Sequence, residues 1–176
     1  IKDFKNIECR DAVLAWSSRQ IVLDPDTNKP VTHWDGKTTK VHPATGERVP
    51  DETARVVAHQ YINPRKADWP EADYVIGNPP FIGNKLMISA LGEGYVSALR
   101  RAHCSVPDSA DFVMYWWDQS AELAREKQIR RFGLITTNSV TQSFNRRVLQ
   151  RHLGSNEIYL AFAIADHPWV DSDSAA

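Results

Sequence analysis

The stretch Asp-Tyr-Val-Ile-Gly-Asn-Pro-Pro-Phe, residues 73–81, decides the fold of this chain. Its first half is rich in aromatic and β-branched residues, which favours a strand. Pro79 and Pro80 then end the strand, because proline has no backbone N–H to donate to a sheet. The sequence therefore predicts a strand whose carboxyl end leads directly into a rigid loop.

Other strands alternate with helices along the chain. The apolar runs at 131–138 and 157–164 predict two more core strands, and the alternation in 6–13 predicts a short buried strand ending in Asp11. Helices are predicted at about 85–103, 108–127 and 145–152, from apolar spacing and capping residues. Strand, helix and strand in this order, with near-continuous apolar strands, indicate an α/β fold with a parallel sheet.

Glycine and turn residues mark the interruptions. Gly92 and Gly94 are expected to break the helix at 85–103, because glycine is a poor helix former. Residues 17–68 are rich in Pro, Thr, Asp, Asn and Lys, and we interpret them as an insertion outside the main sheet of one domain, 1–176. Within it, Asp-Gly at 35–36 predicts a type I′ hairpin that joins 31–34 to 37–41.

Composition narrows the class of protein. The chain has 176 residues, 42% hydrophobic and 24% charged, with a net charge of -1, which is typical of one globular domain with a core. No apolar run approaches the roughly 18 to 20 residues of a membrane span, so we expect a soluble cytoplasmic protein. Cys9 and Cys104 are expected to be reduced and packed, and the six histidines lack paired zinc spacing, so no metal is expected.

The loop after the predicted strand offers two hydrogen-bond acceptors. One is the amide oxygen of Asn78, and the other is the backbone carbonyl of Pro79, whose direction the proline rings fix. Such a pair suits an NH₂ group, and Phe81 adds a flat face for stacking a heteroaromatic ring. An exocyclic amine is a poor nucleophile, so acceptors that bind more strongly as its nitrogen becomes tetrahedral favour attack on an electrophilic methyl group. The alternative is a rigid turn with no chemical role.

These residues resemble a known family. Asn-Pro-Pro-Phe after Asp-x-x-x-Gly is similar to the motif of S-adenosylmethionine-dependent N6-adenine DNA methyltransferases, and residues 70–170 resemble the large fused restriction-modification enzymes. The resemblance implies a class I, Rossmann-like, mostly parallel sheet with helices on both faces. It implies that the target adenine is flipped out of the DNA and held by the catalytic loop, with its amine on Asn78 and Pro79 and its ring on Phe81. The catalytic residues implied are Asn78, Pro79, Pro80 and Phe81.

The resemblance also assigns part of a cofactor site. It implies that Asp11 contacts the adenine of S-adenosylmethionine, whereas the alternative role of Asp11 is that of a helix N-cap. The family's glycine-rich cofactor loop has no counterpart after a strand, and the chain begins at Ile1 without methionine. We therefore expect the carboxyl-side part of a catalytic domain, inactive alone, whose partners are DNA and the remaining domains of the same polypeptide.

Basic residues form a second candidate site. Residues 125–152 contain seven basic side chains against one acidic side chain, which indicates either a phosphate-contacting surface or a solvated face. The basic residues are Arg125, Lys127, Arg130, Arg131, Arg146, Arg147 and Arg151. Trp116 and Trp117 are expected in the core, and Trp169 is expected to pack or to lie exposed near the terminus rather than to contact a base.

Other functions remain open at this level. A methyltransferase for RNA bases or for protein glutamine would present an NH₂ group to the same acceptors. A noncatalytic interaction module is the third candidate. Nuclease activity is not expected from this stretch, because no Asp is followed by Glu-x-Lys for a magnesium site.

Overall fold

In the computed structural model, which describes residues 7–155 and 157–164, short strands form two-stranded sheets that pack with four helices. The helices are α1 Asn84–Leu91, α2 Glu93–Ala102, α3 Val113–Arg125 and α4 Ser143–Leu153, with a 3₁₀ helix at Asn138–Thr141. The strands are β1 Leu14–Ala15, β2 Ser18–Ile21, β3 Thr32–Trp34, β4 Thr39–Val41, β5 Arg48–Pro50, β6 Arg55–Val57, β7 His59–Ile62, β8 Arg65–Lys66, β9 Tyr74–Gly77 and β10 Arg131–Leu134. Among these helices, none has both the length and the apolar character that a membrane crossing requires.

The parallel part of the fold is the pair β9 and β10. Tyr74 lies opposite Arg131 and Gly77 lies opposite Leu134, so both strands end at the same edge. The backbone N–H of Ile135 donates to the carbonyl of Gly77 at 3.0 Å and closes that edge. The α/β class is confirmed. The predicted mostly parallel Rossmann-like sheet is not, because the other strand pairs of the described residues are antiparallel.

Two predicted strands are wrong. Residues 7–13 and 157–164 form no strand in the part of the chain that the structure describes. Ile7 is 76% exposed, and the side chains of Tyr159 and Phe162 are 81% and 76% exposed. Apolar alternation indicates which residues could share a face, but a strand also needs a neighbour along its length for its backbone hydrogen bonds. Among the described residues, 7–13 have such a bond only at Val13, whose carbonyl accepts from Ala67, and 157–164 pair with no strand.

The segment predicted as an insertion forms a long antiparallel ribbon. β2 pairs with β7, β3 with β6 and β4 with β5, and the chain reverses between His42 and Glu47. The predicted hairpin between 31–34 and 37–41 is therefore wrong. Asp35 instead accepts hydrogen bonds from the N–H groups of Lys37 and Thr38, at 2.9 and 2.8 Å. This local turn bends one side of the ribbon without reversing it.

The core lies where α2, α3 and α4 meet the segment of β1. Buried side chains include Leu14, Met87, Leu99, Met114 and Tyr115. Trp117 is buried edge-on against Phe132 of β10, with ring centroids 5.6 Å apart, which confirms its place in the core. Gly92 breaks the helix as predicted, with φ of 88°, but Gly94 lies inside α2. Cys9 and Cys104 are free thiols that lie exposed rather than packed.

A buried carboxylate joins α3 to α4. Asp118 is fully buried and accepts hydrogen bonds from His152 Nε2 at 2.8 Å, from Ser105 Oγ at 3.1 Å and from Arg151. Lys66 Nζ of β8 lies 3.6 Å from the same carboxylate. Burial by itself would raise the pKa of Asp118, but the hydrogen bond from His152 and the charges of Arg151 and Lys66 hold that pKa below its ordinary value.

Asp118 should make the free energy of unfolding depend on pH in the acidic range. Because the pKa of Asp118 is lower in the folded chain than in the unfolded chain, its contribution is present above the unfolded pKa, about 3.9, and is lost as pH falls below about 4. Asp118→Asn is expected to lower the free energy of unfolding by about 2 kcal/mol at pH 7, since Lys66 and Arg151 remain partly hydrated. Urea unfolding at pH 7 and pH 3.5 measures both effects. The exposed Asp68→Asn is the matched control, and an equal loss in both variants would contradict the assignment.

Candidate functional site

The loop after β9 lies at the carboxyl edge of the parallel pair, the edge where ligands bind in open α/β sheets. Asn78 and Pro80 are exposed, Pro79 is buried, and Phe81 is 44% exposed. In the part of the chain that the structure describes, the amide of Asn78 and the carbonyl of Pro79 have no hydrogen-bond partner in the protein. Neither predicted acceptor is therefore used by another described group of the protein, although Pro79 is buried.

The downstream end of this loop is held by the start of α3. The N–H of Phe112 donates to the carbonyl of Ile82 at 2.9 Å, and the N–H of Asn84 donates to Asp111 Oδ1 at 2.9 Å. Inside the loop the N–H of Ile82 donates to the carbonyl of Pro80 at 3.1 Å. The loop is thus tied to a buried helix on one side and to a strand on the other, which limits its freedom.

A cavity of about 300 Å³ opens beside the loop. Its walls include Asn78, Pro79 and Pro80 together with Trp69, Trp116 and Ala12, whereas the predicted stacking residue Phe81 is not among them. The Trp69 Nε1–H donates to the carbonyl of Ala12 at 2.5 Å, so the segment before β1 is fixed against the same cavity. Two aromatic residues thus line the same small cavity as the predicted acceptor residues.

Sequence reasoning missed Trp69 and assigned Trp116 only to the core. Trp116 is half-buried, and one side packs edge-on against Phe112 with ring centroids 4.7 Å apart. Trp69 precedes Pro70 in an otherwise polar stretch, just before β9. A large aromatic residue in a polar segment next to the decisive strand was the available signal.

Asp11 lies next to the cavity wall at Ala12, and no helix follows it, so it is not a helix N-cap. Its Oδ1 accepts hydrogen bonds from the N–H groups of Val13 and Leu14, at 2.9 and 2.8 Å, and its Oδ2 accepts one from the Tyr95 hydroxyl at 2.7 Å. Burial, together with this hydrogen bond to Asp11, raises the pKa of Tyr95 above its ordinary value. Because each carboxylate oxygen has two lone pairs, Oδ2 of Asp11 can accept one more donor.

A buried histidine fixes the residues that follow Asp11. His103 is fully buried, and its Nε2 lies 2.8 Å from the carbonyl of Val13. Burial lowers the pKa of His103 below its ordinary value, so the ring is neutral at pH 7 and Nε2–H donates to this carbonyl. The segment after Asp11 is therefore held both by His103 at the end of α2 and by the N–H of Ala67, which donates to the same carbonyl at 3.1 Å and continues the pairing of β1 with β8.

The predicted basic surface is only partly free. Three of its members are paired with carboxylates: Arg125 with Glu157 at 3.4 Å, Arg130 with Asp73 at 2.8 Å, and Arg151 with Asp118. Arg146 and Arg147 are exposed on α4 and pair with no carboxylate among the described residues, and Arg147 lies 5.9 Å from the centre of the Phe144 ring. Trp169 lies outside the described residues.

Two other observations concern a second cavity and possible metal binding. A larger cavity of about 530 Å³, walled in part by Glu71, Asp73 and Ile129, lies at the amino end of β9, away from the two acceptors. In the described ranges no group of three or more His, Cys, Asp or Glu side chains could hold a metal ion.

Comparison with known proteins identifies the protein family. A protein-family model described as MmeI, DNA-methyltransferase domain, matches residues 2–176. Comparisons with curated proteins and with solved structures give no match.

Proposed function

The chain belongs to the MmeI DNA-methyltransferase domain family, and from this premise we propose that it holds the target base of an adenine-specific DNA methyltransferase in a restriction-modification system. The observation that carries the proposal is the pair of free acceptors, Asn78 and the carbonyl of Pro79, on the wall of an aromatic cavity. The pair lies at the carboxyl edge of β9 and β10, where catalytic groups of α/β sheets are found.

The chemistry follows from the nature of the amine. In adenine the lone pair of the exocyclic nitrogen is delocalised into the ring, so the nitrogen must become tetrahedral before it can form a bond to carbon. Two acceptors bind its protons more strongly as positive charge develops, and this stabilises the transition state more than the ground state. Asn78 and Pro79 would hold the amine while it takes the methyl group that S-adenosylmethionine would supply, with the thioether as the leaving group, and the methylated amine would then release a proton to solvent.

The remaining residues of the loop place the base. Phe81 is not among the residues that line the cavity, but it is 44% exposed at the end of the same loop and would offer a stacking face for a base that has left the duplex. Pro80 restricts the backbone at Pro79, so the carbonyl of Pro79 keeps its direction. Arg146 and Arg147 are available for phosphate contacts on the DNA.

The residues of this chain fit the adenine part of S-adenosylmethionine. When bound, this cofactor supplies the electrophilic methyl group. Asp11 has one free lone pair on Oδ2 beside Ala12 and can accept a hydrogen bond from an adenine amine. Among the described residues no strand is followed by a glycine-rich loop, so we propose that other residues of the whole protein hold the methionine part and that the chain alone does not turn over.

Methyl incorporation into three substrates tests the proposed function. The whole protein is supplied with S-adenosylmethionine labelled in the methyl group and with DNA, RNA or a glutamine-containing protein. We expect label in DNA alone, recovered as N6-methyladenine after digestion to nucleosides. Label in RNA or protein instead of DNA would contradict the proposal, as would label on cytosine.

A further inference from the structure

One pair of side chains, Asp111 and Asn145, connects the two loops at the carboxyl edge of the parallel strands. Asp111 Oδ2 accepts a hydrogen bond from Asn145 Nδ2 at 2.8 Å, and the N–H of Asp111 donates to Asn145 Oδ1 at 2.9 Å. Asp111 Oδ1 also accepts from the N–H of Asn84, at 2.9 Å, where the loop after β9 becomes α1. Asn145 Nδ2 also donates to the carbonyl of Ser139, at 2.8 Å, in the 3₁₀ helix after β10.

The hydrogen bonds of this pair serve to fix the relative positions of neighbouring elements more than to raise the free energy of unfolding. Asn145 is 2% exposed and Asp111 is half-buried, yet no cationic side chain among the described residues lies within ion-pair distance of Asp111. A half-buried carboxylate without a positive partner is costly unless hydrogen-bond donors compensate it. Here two neutral donors, the N–H of Asn84 and Nδ2 of Asn145, each bind one carboxylate oxygen, and the N–H of Asp111 itself donates to Asn145 Oδ1, so the network joins α1, α4 and the start of α3.

From this arrangement, and relying on the proposed function, we propose that Asp111 and Asn145 are positioning residues that hold the Asn78–Phe81 loop in the orientation required for methyl transfer. They touch neither the base nor the methyl group. They act through Asn84 and Ser139, which fix the loop after β9 relative to the loop after β10. Since a shift of about 1 Å in a reacting group can cost about 10²-fold in rate, a network behind the loop affects the reaction without contacting the substrate.

The chemistry of the pair allows a swap test. Asp111→Asn places an NH₂ group against the NH₂ of Asn145 or against the N–H of Asn84, so one hydrogen bond is lost in either orientation. In the double variant D111N/N145D the amide and the carboxylate exchange places, and donors face acceptors again between positions 84, 111 and 145. The bond to the carbonyl of Ser139, which the single variant keeps, is lost in the double variant because a carboxylate at position 145 has no donor, so recovery is expected to be incomplete.

Steady-state methylation of DNA by the whole protein measures the effect. We expect kcat of Asp111→Asn to fall by about 10²-fold with KM for DNA little changed, and the double variant to recover to within about tenfold of wild type. The exposed Asp108→Asn, three residues away, is the matched control and should retain wild-type kcat. Thermal unfolding of each variant separates a loss of folded protein from a loss of rate.

A structural measurement keeps this proposal separate from the proposed function. Hydrogen exchange of residues 78–86 should be faster in Asp111→Asn and slower again in the double variant, whatever the substrate is. If the wild type methylates no DNA, the proposed function fails and exchange still decides whether the pair positions the loop. If kcat and exchange are unchanged in Asp111→Asn, or if the double variant is no better than the single one, the positioning role is overturned.

Discussion

Asn78→Ala is expected to reduce kcat for DNA methylation by about 10²- to 10³-fold, the usual cost of removing one preorganised group that binds the transition state. The reason is that Asn78 supplies one of the two proposed acceptors for the amine, and the carbonyl of Pro79 alone cannot bind both of its protons. DNA affinity should change little, because the amide contributes most when the nitrogen is tetrahedral. Single-turnover methylation and a DNA-binding titration measure the two quantities separately.

A conservative variant and a remote variant sharpen this result. Asn78→Asp keeps an acceptor oxygen and should retain more activity than Asn78→Ala. Gln20→Ala removes an exposed amide from β2 of the ribbon, far along the chain from the loop, and should leave methylation unchanged. Full activity of Asn78→Ala would contradict the acceptor mechanism, and an equal loss in Gln20→Ala would mean that the effect is not specific.

Gly94→Ala is expected to destabilise the folded chain by at least about 3 kcal/mol, although alanine is the better helix former. A Cβ built on Gly94 would lie 1.8 Å from the carbonyl oxygen of His59 in β7, and 3.0 Å from its carbonyl carbon. Both atoms are backbone, so the clash can be relieved only by moving α2 or the base of the ribbon. Since α2 carries the buried Tyr95 and Leu99, that movement disturbs the core.

Gly133→Ala provides the matched control for this substitution. Gly133 lies in β10, its φ is not positive, and a Cβ built there meets no atom within 4 Å. Urea unfolding should therefore show a change of at most about 0.5 kcal/mol in Gly133→Ala. If the two alanine variants lose equal stability, the contact of α2 with β7 is not what requires glycine at position 94.

Elements with local signals were predictable. The strand before Asn78 ends where the prolines require it, α3 lies within the predicted 108–127, and α4 covers the predicted 145–152. These predictions succeeded because side-chain spacing, glycine and proline act within a few residues. The predicted breaks at Gly92 and Gly94 show the limit of such local signals. Only Gly92 interrupts a helix, and Gly94 is required by its contact with His59, 35 residues earlier in the chain.

Pairing over long distances was not predictable. The sequence signal at Asp35 and Gly36 was interpreted as a hairpin, yet β3 pairs with β6 and the reversal lies beyond position 41. The apolar residues 157–164 have the composition of a strand and form none among the described residues. In both cases the deciding factor is the partner that satisfies the backbone, and a local pattern does not identify it.

The order of residues by itself determined the two acceptors, the proline-stiffened turn that carries them and the class of reaction that they suit, because these properties belong to adjacent covalent groups. Only the tertiary structure decided that Trp69 and Ala12 line the same cavity as Asn78 and Pro79, that Tyr95 donates to Asp11, and that Asp111 and Asn145 are hydrogen-bonded to each other. These contacts join residues distant in the chain, and they form only when burial of the core brings α1, α3 and α4 together.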